Sequence, residues 1–210
     1  MRQSGNKRHQ QRRASLENLV AAGLHLFVSR GYEQTTVDQI ADRAGLTKGA
    51  VYFHFDSKEA LLLALLDRAE TVVVDRMIAR LSTAGPNADA KIVAFVNGQA
   101  ELGVTDPDSV LLLILSSLEF HGTGGAIETR TQAIYARMYR AIEDVINFGK
   151  RGGVFRDDIP TRAQAAIVIA GHDGTFLEWH RHQRDLDGFA MVRALRAATL
   201  GGLLASATPN

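Results

Sequence analysis

The sequence contains no cysteine, and only four prolines are spread over its 210 residues. The absence of cysteine excludes a disulfide scaffold and thiolate metal sites, so a reducing cytoplasm is the simplest location. No stretch offers about 18 uninterrupted apolar residues, the length that a membrane-spanning helix needs. The basic segment 1–13 also lacks the apolar run of a secretory signal. We therefore expect a soluble cytoplasmic protein with no membrane partner.

The alternation of apolar and polar residues that marks a half-buried strand is also absent. Apolar residues instead recur at helical spacing between breaks rich in glycine and proline. The apolar fraction of 46% is ordinary for a globular chain. The pattern predicts an all-α protein with two short helices between residues 36 and 55 and longer helices at 16–30, 58–81, 88–104, 108–121, 126–150, 161–182 and 188–206.

Residues 35–55, TTVDQIADRAGLTKGAVYFHF, hold the most specific pattern in the chain. Thr36 and Gln39 have the spacing of a capping box at the start of a helix. Gly45 stands where a left-handed residue can end that helix, and Thr47 can cap the next one. Two short helices joined by a glycine turn form a helix-turn-helix, the arrangement of many DNA-binding proteins.

The net charge of +1 hides an asymmetry along the chain. Residues 1–58 contain nine Lys or Arg and five Asp or Glu, giving +4, whereas the remainder contains fifteen and eighteen, giving −3. Basic charge is thus concentrated around the helix-turn-helix, as phosphate binding requires. The alternative is a basic terminus that only keeps the chain in solution. The adjacent motif favours DNA binding.

This stretch resembles the DNA-binding domain of the TetR family of bacterial transcriptional regulators. The resemblance covers about residues 14–65, and beyond them the chain matches the family only in helical pattern and length. It predicts a basic flexible arm at 1–13, a three-helix DNA-binding domain at 14–58, and a helical effector-binding and dimerisation domain at 59–206. Thr47 stands where the family usually has serine. The residues that carry the resemblance are Gly31, Tyr32, Thr35, Thr36, Ile40, Ala41, Ala44, Gly45, Lys48, Gly49, Tyr52, Phe55 and Lys58.

The predicted contacts to DNA lie in and beside the two short helices: Thr35, Thr36, Thr47, Lys48, Gly49, Ala50, Tyr52, His54 and Lys58. Lys48 and Lys58 lie near helix starts, where ammonium groups and free backbone N–H groups can both meet phosphate oxygens. Lys48 can also reach a guanine edge, and Ala50 a thymine methyl group. Capping threonines and a core tyrosine are the structural alternatives. The basic residues of the arm contact phosphates non-specifically or stay solvated: Arg2, Lys7, Arg8, Arg12 and Arg13.

An apolar wall with a few polar groups, between helices of the second domain, could hold a small organic effector. Periodicity does not distinguish such a wall from a filled core, so the pocket is implied mainly by the resemblance. The composition of the wall favours an apolar or amphipathic ligand. The predicted lining is Phe95, Gln99, Leu102, Leu113, Ser117, His121, Tyr135, Met138, Tyr139, His172, Phe176 and Trp179.

Two segments are too apolar on all sides for the outside of a monomer. Residues 111–118 are expected at the centre of the second domain. The segment 165–177 has small residues that would let another helix approach, so we expect it to form a four-helix interface with the last helix and their symmetry mates. Two ordinary core helices are the alternative. The predicted interface residues are Ala170, Gly171, Gly174, Leu177, Val192, Leu195, Thr199, Gly202 and Leu203.

Histidines and carboxylates suggest a competing class, a metal-dependent hydrolase that would use Glu119, His121, His172, Asp173, His180 and His182. The spacing argues against it, because the sequence contains no pair of histidines four residues apart and no HExxH motif. A nucleophile elbow and a phosphate-binding loop are absent too. We therefore predict a protein that is not an enzyme and needs neither metal nor cofactor.

Together these features predict a transcriptional regulator, specifically a repressor. It is expected to bind a palindromic double-stranded operator as a homodimer and to be released by a small organic effector. The helix predicted at 58–81 would belong to both domains and transmit the effector signal. The alternative is a helix-turn-helix protein that binds DNA without an effector.

Overall fold

A computed structural model describes residues 2–182 and 185–205, with side chains from His9 onward. Within these ranges the regular structure is helical, apart from one isolated antiparallel bridge between Phe155 and Leu204. The predicted all-α fold class is confirmed. No helix in the described part of the chain is long and apolar enough to cross a membrane.

The helices follow the predicted order, and most of their ends lie close to the predicted ones. They are α1 (Arg2–Arg30), α2 (Val37–Ala44), α3 (Lys48–His54), α4 (Lys58–Ala69), α5 (Arg76–Thr83), α6 (Ala88–Thr105), α7 (Pro107–Glu119), α8 (Ala126–Arg151), α9 (Thr161–Arg181) and α10 (Gly188–Leu203).

The first helix is longer than predicted. It begins at Arg2 instead of Leu16, so Ser15 lies inside the helix. Residues 2–14 are rich in Gln, Lys and Arg, which are good helix formers, and they contain no proline. The structure therefore places residues 2–13 in a helix where the sequence predicted a flexible arm, and Met1 and the side chains of residues 2–8 lie outside the described part.

The helix predicted at 58–81 is divided by a π-helical turn at Glu70–Asp75, which separates α4 from α5. Three consecutive valines in this turn, Val72, Val73 and Val74, are all buried. In an α-helix successive side chains point about 100° apart, so burying three in a row is unusual for a helix with one apolar face. The N-cap of α4 is Ser57, whose hydroxyl accepts from the Ala60 N–H.

The chain forms two compact units, and each contains two separate stretches of sequence. The first unit comprises Met1–Glu70 and Asp108–Gln132, and the second comprises Thr71–Pro107 and Ala133–Asn210. The sequence predicted a single boundary at residue 58 and placed 108–121 in the second domain. The structure instead groups α7 with the first unit, because contacts between residues far apart in the sequence join it to that unit.

Those contacts fix the turn between α1 and α2. The carboxylate of Glu119, the last residue of α7, accepts hydrogen bonds of 3.3 Å from the backbone N–H groups of Tyr32 and Glu33. The ring of Tyr32 packs edge-on against Phe120 at 5.2 Å between centroids. Gly31 supplies the left-handed backbone that this turn needs, with φ of 83°. The end of α7 therefore stabilises the turn that precedes the helix-turn-helix.

The core of the first unit lies between α1, α2, α4 and α7. Its fully buried side chains include Leu19, Ile40, Leu61 and Leu65. Gly23 allows α1 to lie directly against α4, because a Cβ atom there would be 2.9 Å from a methyl carbon of Leu61. Within the segment 111–118, the predicted burial is confirmed for Leu111, Leu112, Leu113 and Ile114, which lie in the first unit, but it is wrong for Leu118, which is 69% exposed.

The core of the second unit is built from α6, α8 and α9. Ile92, Phe95, Ile142 and Ile146 are fully buried there, together with Phe155 from the turn after α8. The last helix, α10, packs on α6 and α9. This packing places the helices that surround a cavity.

Candidate nucleic-acid interface and effector cavity

The helix-turn-helix has the local geometry that its sequence predicts. The Thr36 hydroxyl accepts from the Gln39 N–H at 3.2 Å, and the Gln39 side chain accepts from the Thr36 N–H at 3.0 Å, which completes the capping box. Gly45 ends α2 with φ of 67°. The Thr47 hydroxyl accepts from the Ala50 N–H at 3.2 Å and caps α3. The predicted caps and turn are confirmed.

One face of α3 is buried and the other is open to solvent. Val51 is 2% exposed and anchors the helix, whereas Lys48 and Gly49 are exposed. Tyr52 is 47% exposed and Phe53 is 66% exposed. The sequence prediction omitted Phe53. The adjacent aromatic residues at 52 and 53 could have indicated its exposure, because two neighbouring side chains of a short helix cannot both face the core.

Phe53 is also joined to the N-terminal helix. The guanidinium carbon of Arg12 lies 4.9 Å from the centroid of the Phe53 ring. His54, a predicted DNA contact, is half-buried with its Nε2 atom 3.4 Å from the Ser15 hydroxyl. Both contacts place side chains of α1 beside the end of α3.

Lys48 forms an ion pair with an acidic neighbour. Its ammonium lies 2.9 Å from the Asp38 carboxylate, and both side chains are more than half exposed. The hydrogen bond to Asp38 raises the pKa of Lys48 above its ordinary value. Because Asp38 lies in the first turn of α2 and Lys48 begins α3, this pair brings the starts of the two helices together.

Thr35 cannot serve as a DNA contact. It is 0% exposed, and its hydroxyl donates to the carbonyls of Gly31 at 2.8 Å and Leu26 at 3.2 Å. The sequence prediction was wrong because a threonine next to a helix cap has the same local pattern whether its hydroxyl points outward or into the turn.

Lys58 is held by the same turn. Its ammonium donates to the carbonyls of Tyr32 at 2.9 Å and Thr35 at 3.1 Å, and it lies 3.9 Å from the centroid of the Tyr32 ring. The side chain is half-buried. Two carbonyls and an aromatic face surround this ammonium, so its main role in the structure is to stabilise the turn before α2 and not to face solvent as a phosphate contact would.

Lys58→Met is expected to lower the free energy of unfolding by about 2 kcal/mol. The substitution leaves two carbonyls without their charged donor and removes a cation–π contact. Lys48→Met, on the exposed face of α3, is the matched control and should change stability by less than about 0.5 kcal/mol. Urea unfolding followed by circular dichroism measures both. Equal small effects would contradict the structural role of Lys58.

A cavity of about 620 Å³ lies within the second unit, between α6, α9 and α10. Four of the predicted residues line it, namely Gln99, His172, Phe176 and Trp179. The sequence prediction missed the contribution of α10, because it assigned Val192 and Leu195 to a dimer interface and named none of the other α10 residues in the lining. The other side chains include Val96, Ala100, Val104, Thr175, Phe189, Met191, Val192, Arg193, Leu195 and Arg196.

The remaining predicted lining residues do not border this cavity. In the second unit, Phe95, Leu102 and Met138 are buried core residues, and Tyr139 lies beneath the Arg162 guanidinium at 3.8 Å. Tyr135 donates a hydrogen bond to Asp173. Leu113, Ser117 and His121 belong to the first unit, where the side chain of His121 is 86% exposed. Helical periodicity marked them as inward-facing without indicating which core they enter.

The histidines of the hydrolase hypothesis serve other contacts. His172 Nδ1 lies 2.9 Å from Asp173 Oδ1, and the Tyr135 hydroxyl donates to Asp173 Oδ2 at 3.3 Å. His180 stacks on Phe176 at 6.2 Å between centroids. In the described ranges, no three His, Cys, Asp or Glu side chains converge as metal ligands would.

The predicted interface residues divide between two faces. Ala170, Gly174 and Gly202 are exposed, while Gly171, Leu177, Val192, Leu195 and Thr199 are half-buried and Leu203 is buried. Val192 and Leu195 line the cavity, and a Cβ atom on Gly171 would be 3.3 Å from Leu195. This face of α10 therefore packs onto its own unit, whereas the sequence predicted Val192, Leu195 and Leu203 at a dimer interface.

The opposite faces of α9 and α10 expose small and apolar side chains. On α9 an exposed stripe contains Ala163, Ile167, Ala170 and Gly174, and Ile167 is 74% exposed. On α10 a second stripe contains Ala194, Ala197, Ala198 and Gly201. We call these two stripes the α9/α10 face. The spacing of apolar residues allows either face of α10 to be buried. In the structure, the packing of Leu195 and Leu203 buries their face and leaves the alanine stripe exposed.

Comparison with known proteins matches these features. The family model described as bacterial regulatory proteins, tetR family, matches residues 19–65. The crystal structure of the MbdR regulator from Azoarcus sp. CIB is similar with a TM-score of 0.83 and 50% identity, covering 91% of this chain and 100% of that chain. The HTH-type transcriptional repressor BepR from Brucella suis biovar 1 (strain 1330) is 24% identical over 173 residues, 81% of this chain and 83% of BepR.

A more distant protein shares the fold. FadR from Bacillus subtilis, solved in complex with stearoyl-CoA, has a TM-score of 0.74 at 19% identity. The similarity covers 89% of this chain and 98% of FadR. It therefore extends over both units.

Proposed function

Since this chain belongs to the TetR family of bacterial transcriptional regulators, we propose that it is a repressor that binds a palindromic operator as a homodimer and leaves it when a small organic molecule occupies the cavity of the second unit. The observation that carries the DNA-binding part is the exposed face of α3, with Lys48, Gly49, Tyr52 and Phe53 on a helix whose other side is anchored by Val51.

On DNA, we propose that α3 enters the major groove. In helix-turn-helix proteins the first residues of the second helix contact base edges, and the preceding helix crosses the backbone. Lys48 then reaches a phosphate or a guanine edge, and the Tyr52 hydroxyl reaches a phosphate. Phe53 adds an apolar surface for a sugar or a thymine methyl group. Thr36 and Thr47 lie at helix starts, where backbone N–H groups favour an anion.

The homodimer is supported by the α9/α10 face. This face exposes the large apolar side chain of Ile167 beside alanines and glycines, and small residues let helices approach closely. Two helices from each of two chains would form a four-helix interface with twofold symmetry. A symmetric dimer requires a symmetric operator, with half-sites about 34–36 Å apart.

The effector is supported by the size and walls of the cavity. Its volume of about 620 Å³ lies in the range of small-molecule sites, and apolar and aromatic side chains dominate its lining. FadR, which shares the fold, is described in complex with stearoyl-CoA, and BepR is described as a repressor. An effector can release DNA only through its differential affinity for two states, with typical couplings of about 5- to 150-fold.

The direct test is selection of genomic fragments by the purified protein, followed by fluorescence anisotropy with the selected duplex. We expect salt-dependent binding to a palindromic site. Tyr52→Ala should weaken it, because each dimer loses two contacts. If the wild-type protein bound no duplex in a salt-dependent manner, the proposed function would be wrong.

Asp38→Asn is expected to tighten DNA binding. The carboxylate of Asp38 neutralises Lys48 and repels phosphates, so its removal should raise the affinity for all duplexes about threefold to tenfold and steepen the salt dependence. Asp89→Asn removes an exposed carboxylate from the first turn of α6 and is the matched control. Anisotropy titrations at several salt concentrations measure both variants. Equal affinities for Asp38→Asn and wild type would mean that Lys48 does not approach DNA.

A further inference from the structure

One polar atom in the cavity wall lacks a partner. Gln99 is 2% exposed, and its side-chain oxygen has no hydrogen-bond donor. Gln99 lines the cavity. Buried carbonyl oxygens are normally paired, because leaving one unpaired after removal from water is unfavourable. A ligand that brings an N–H or O–H group to this oxygen would satisfy it.

His172, which also lines the cavity, adds a second polar side chain. The carboxylate of Asp173 receives the Tyr135 hydroxyl on one oxygen and faces His172 Nδ1 with the other. Where Nδ1 donates to this carboxylate, Nε2 is the remaining hydrogen-bonding atom of the ring. Gln99 and His172 therefore both add polar side chains to the lining.

Two arginines on α10 add positively charged hydrogen-bond donors to the lining. Arg193 and Arg196 line the cavity three residues apart, on one side of the helix. Among the described residues, neither guanidinium forms an ion pair with a carboxylate, and Glu101, the carboxylate in the lining, pairs with Arg80 instead. Arginine is well suited to bind a carboxylate or a phosphate through two parallel hydrogen bonds.

Between these polar groups the wall is aromatic. The rings of Phe176 and Trp179 lie 6.5 Å apart, and Phe189 is 81% exposed at the start of α10. Gly188 lets the chain pass close to Trp179, since a Cβ atom there would be 2.9 Å from the indole nitrogen. A flat apolar ligand body can pack against such rings.

We propose that the cavity selects an amphipathic organic anion: a flat apolar body lies against Phe176 and Trp179, a hydrogen-bond donor on that body meets Gln99, and a carboxylate or phosphate meets Arg193 and Arg196. This inference rests on the proposed function, because it names the chemical class of the effector. The anion can be the carboxylate of a free acid or the phosphates of its coenzyme A thioester.

Four probes with one ring system separate these requirements in calorimetric titrations of the full chain. Hydroxynaphthoate carries both donor and charge, its methyl ester carries only the donor, and methoxynaphthoate carries only the charge. Hydroxynaphthoyl coenzyme A moves the charge from a carboxylate to phosphates. We expect hydroxynaphthoate or its thioester to bind at least about tenfold more tightly than the methyl ester, and hydroxynaphthoate to bind about tenfold more tightly than methoxynaphthoate.

Variants assign each preference to its residues. Arg193→Gln combined with Arg196→Gln should weaken binding of the charged probe about tenfold and leave the methyl ester within about twofold. Gln99→Leu should abolish the preference for hydroxynaphthoate over methoxynaphthoate. Arg151→Gln, an exposed arginine of the same unit that does not line the cavity, is the matched control.

If the double arginine variant loses the preference for the free acid or for the thioester, that preference identifies the source of the anion. Equal binding of charged and neutral probes, arginine variants that bind as the control does, or no binding of a charged probe would overturn the proposal. None of these results affects binding of the ligand-free protein to a selected duplex. Failure of that DNA binding would instead overturn the proposed function, so the two failures are distinguishable.

Discussion

Replacing Gly174 by arginine is expected to convert the proposed homodimer into a monomer and to weaken operator binding at least about a hundredfold. Gly174 lies on the α9/α10 face, and a Cβ atom there would meet nothing within 4 Å. The larger side chain is therefore compatible with the fold of one chain. In the dimer it would place bulk and charge where two α9 helices approach each other, and a monomer cannot occupy both half-sites at once.

Sedimentation velocity at micromolar concentration measures the assembly, and anisotropy with the selected duplex measures the loss of affinity. Ala133→Arg is the matched control, because it adds the same side chain at an exposed helical position outside the α9/α10 face. The control should remain dimeric. A monomeric wild-type protein, or a dimeric Gly174→Arg variant with unchanged DNA affinity, would remove the basis for the symmetric operator.

Gly149→Ala should be the most destabilising single-methyl change in the second unit, lowering the free energy of unfolding by about 3 kcal/mol. A Cβ atom at this position of α8 would overlap Cδ2 of Phe155 and lie 2.7 Å from its Cγ. The ring is 2% exposed and cannot move into solvent. The Gly149 carbonyl also accepts from the N–H groups of Val154 and Phe155, which holds the turn in place.

A double-mutant cycle distinguishes this clash from a general effect on α8. Phe155→Val removes the ring atoms that the new methyl group would meet. In that background Gly149→Ala should cost less than about 1 kcal/mol, since alanine is also the better helix former. Urea unfolding of the four proteins measures the coupling. Additive effects would mean that the ring does not limit the substitution.

Local sequence determined the helix-turn-helix almost completely. The capping box of Thr36 and Gln39, the left-handed Gly45 and the Thr47 cap each depend on residues within four positions of one another. Such signals act through hydrogen bonds that the backbone makes with its own neighbours, so they have the same meaning in any fold. For the same reason the breaks at glycine and proline located most helix ends and the all-α class.

The limits of local signals appear where one pattern fits two structures. Thr35 and Lys58 have the side chains of phosphate contacts, but their hydroxyl and ammonium groups stabilise the turn at residues 31–35. On α10, apolar residues at helical spacing indicate that one face is buried. They do not indicate whether that face packs against the same chain or against a second one. The sequence analysis therefore assigned two cavity residues, Val192 and Leu195, to a dimer interface. Burial within a chain and burial between chains both favour apolar residues, so the pattern does not separate them.

Only the tertiary structure decided how the segments combine. Glu119 belongs to a helix that the sequence assigned to the second domain, but its carboxylate binds the backbone of Tyr32 and Glu33, more than eighty positions earlier. The Arg130 guanidinium likewise pairs with Asp67 and Glu70 across the first unit. Local periodicity contains no information about such partners, because a contact between distant residues depends on the path of the whole chain. The sequence by itself therefore determined which segments are helices and where the helix-turn-helix lies, and the packing of those helices decided the unit boundaries, the lining of the cavity and which sides of α9 and α10 stay exposed.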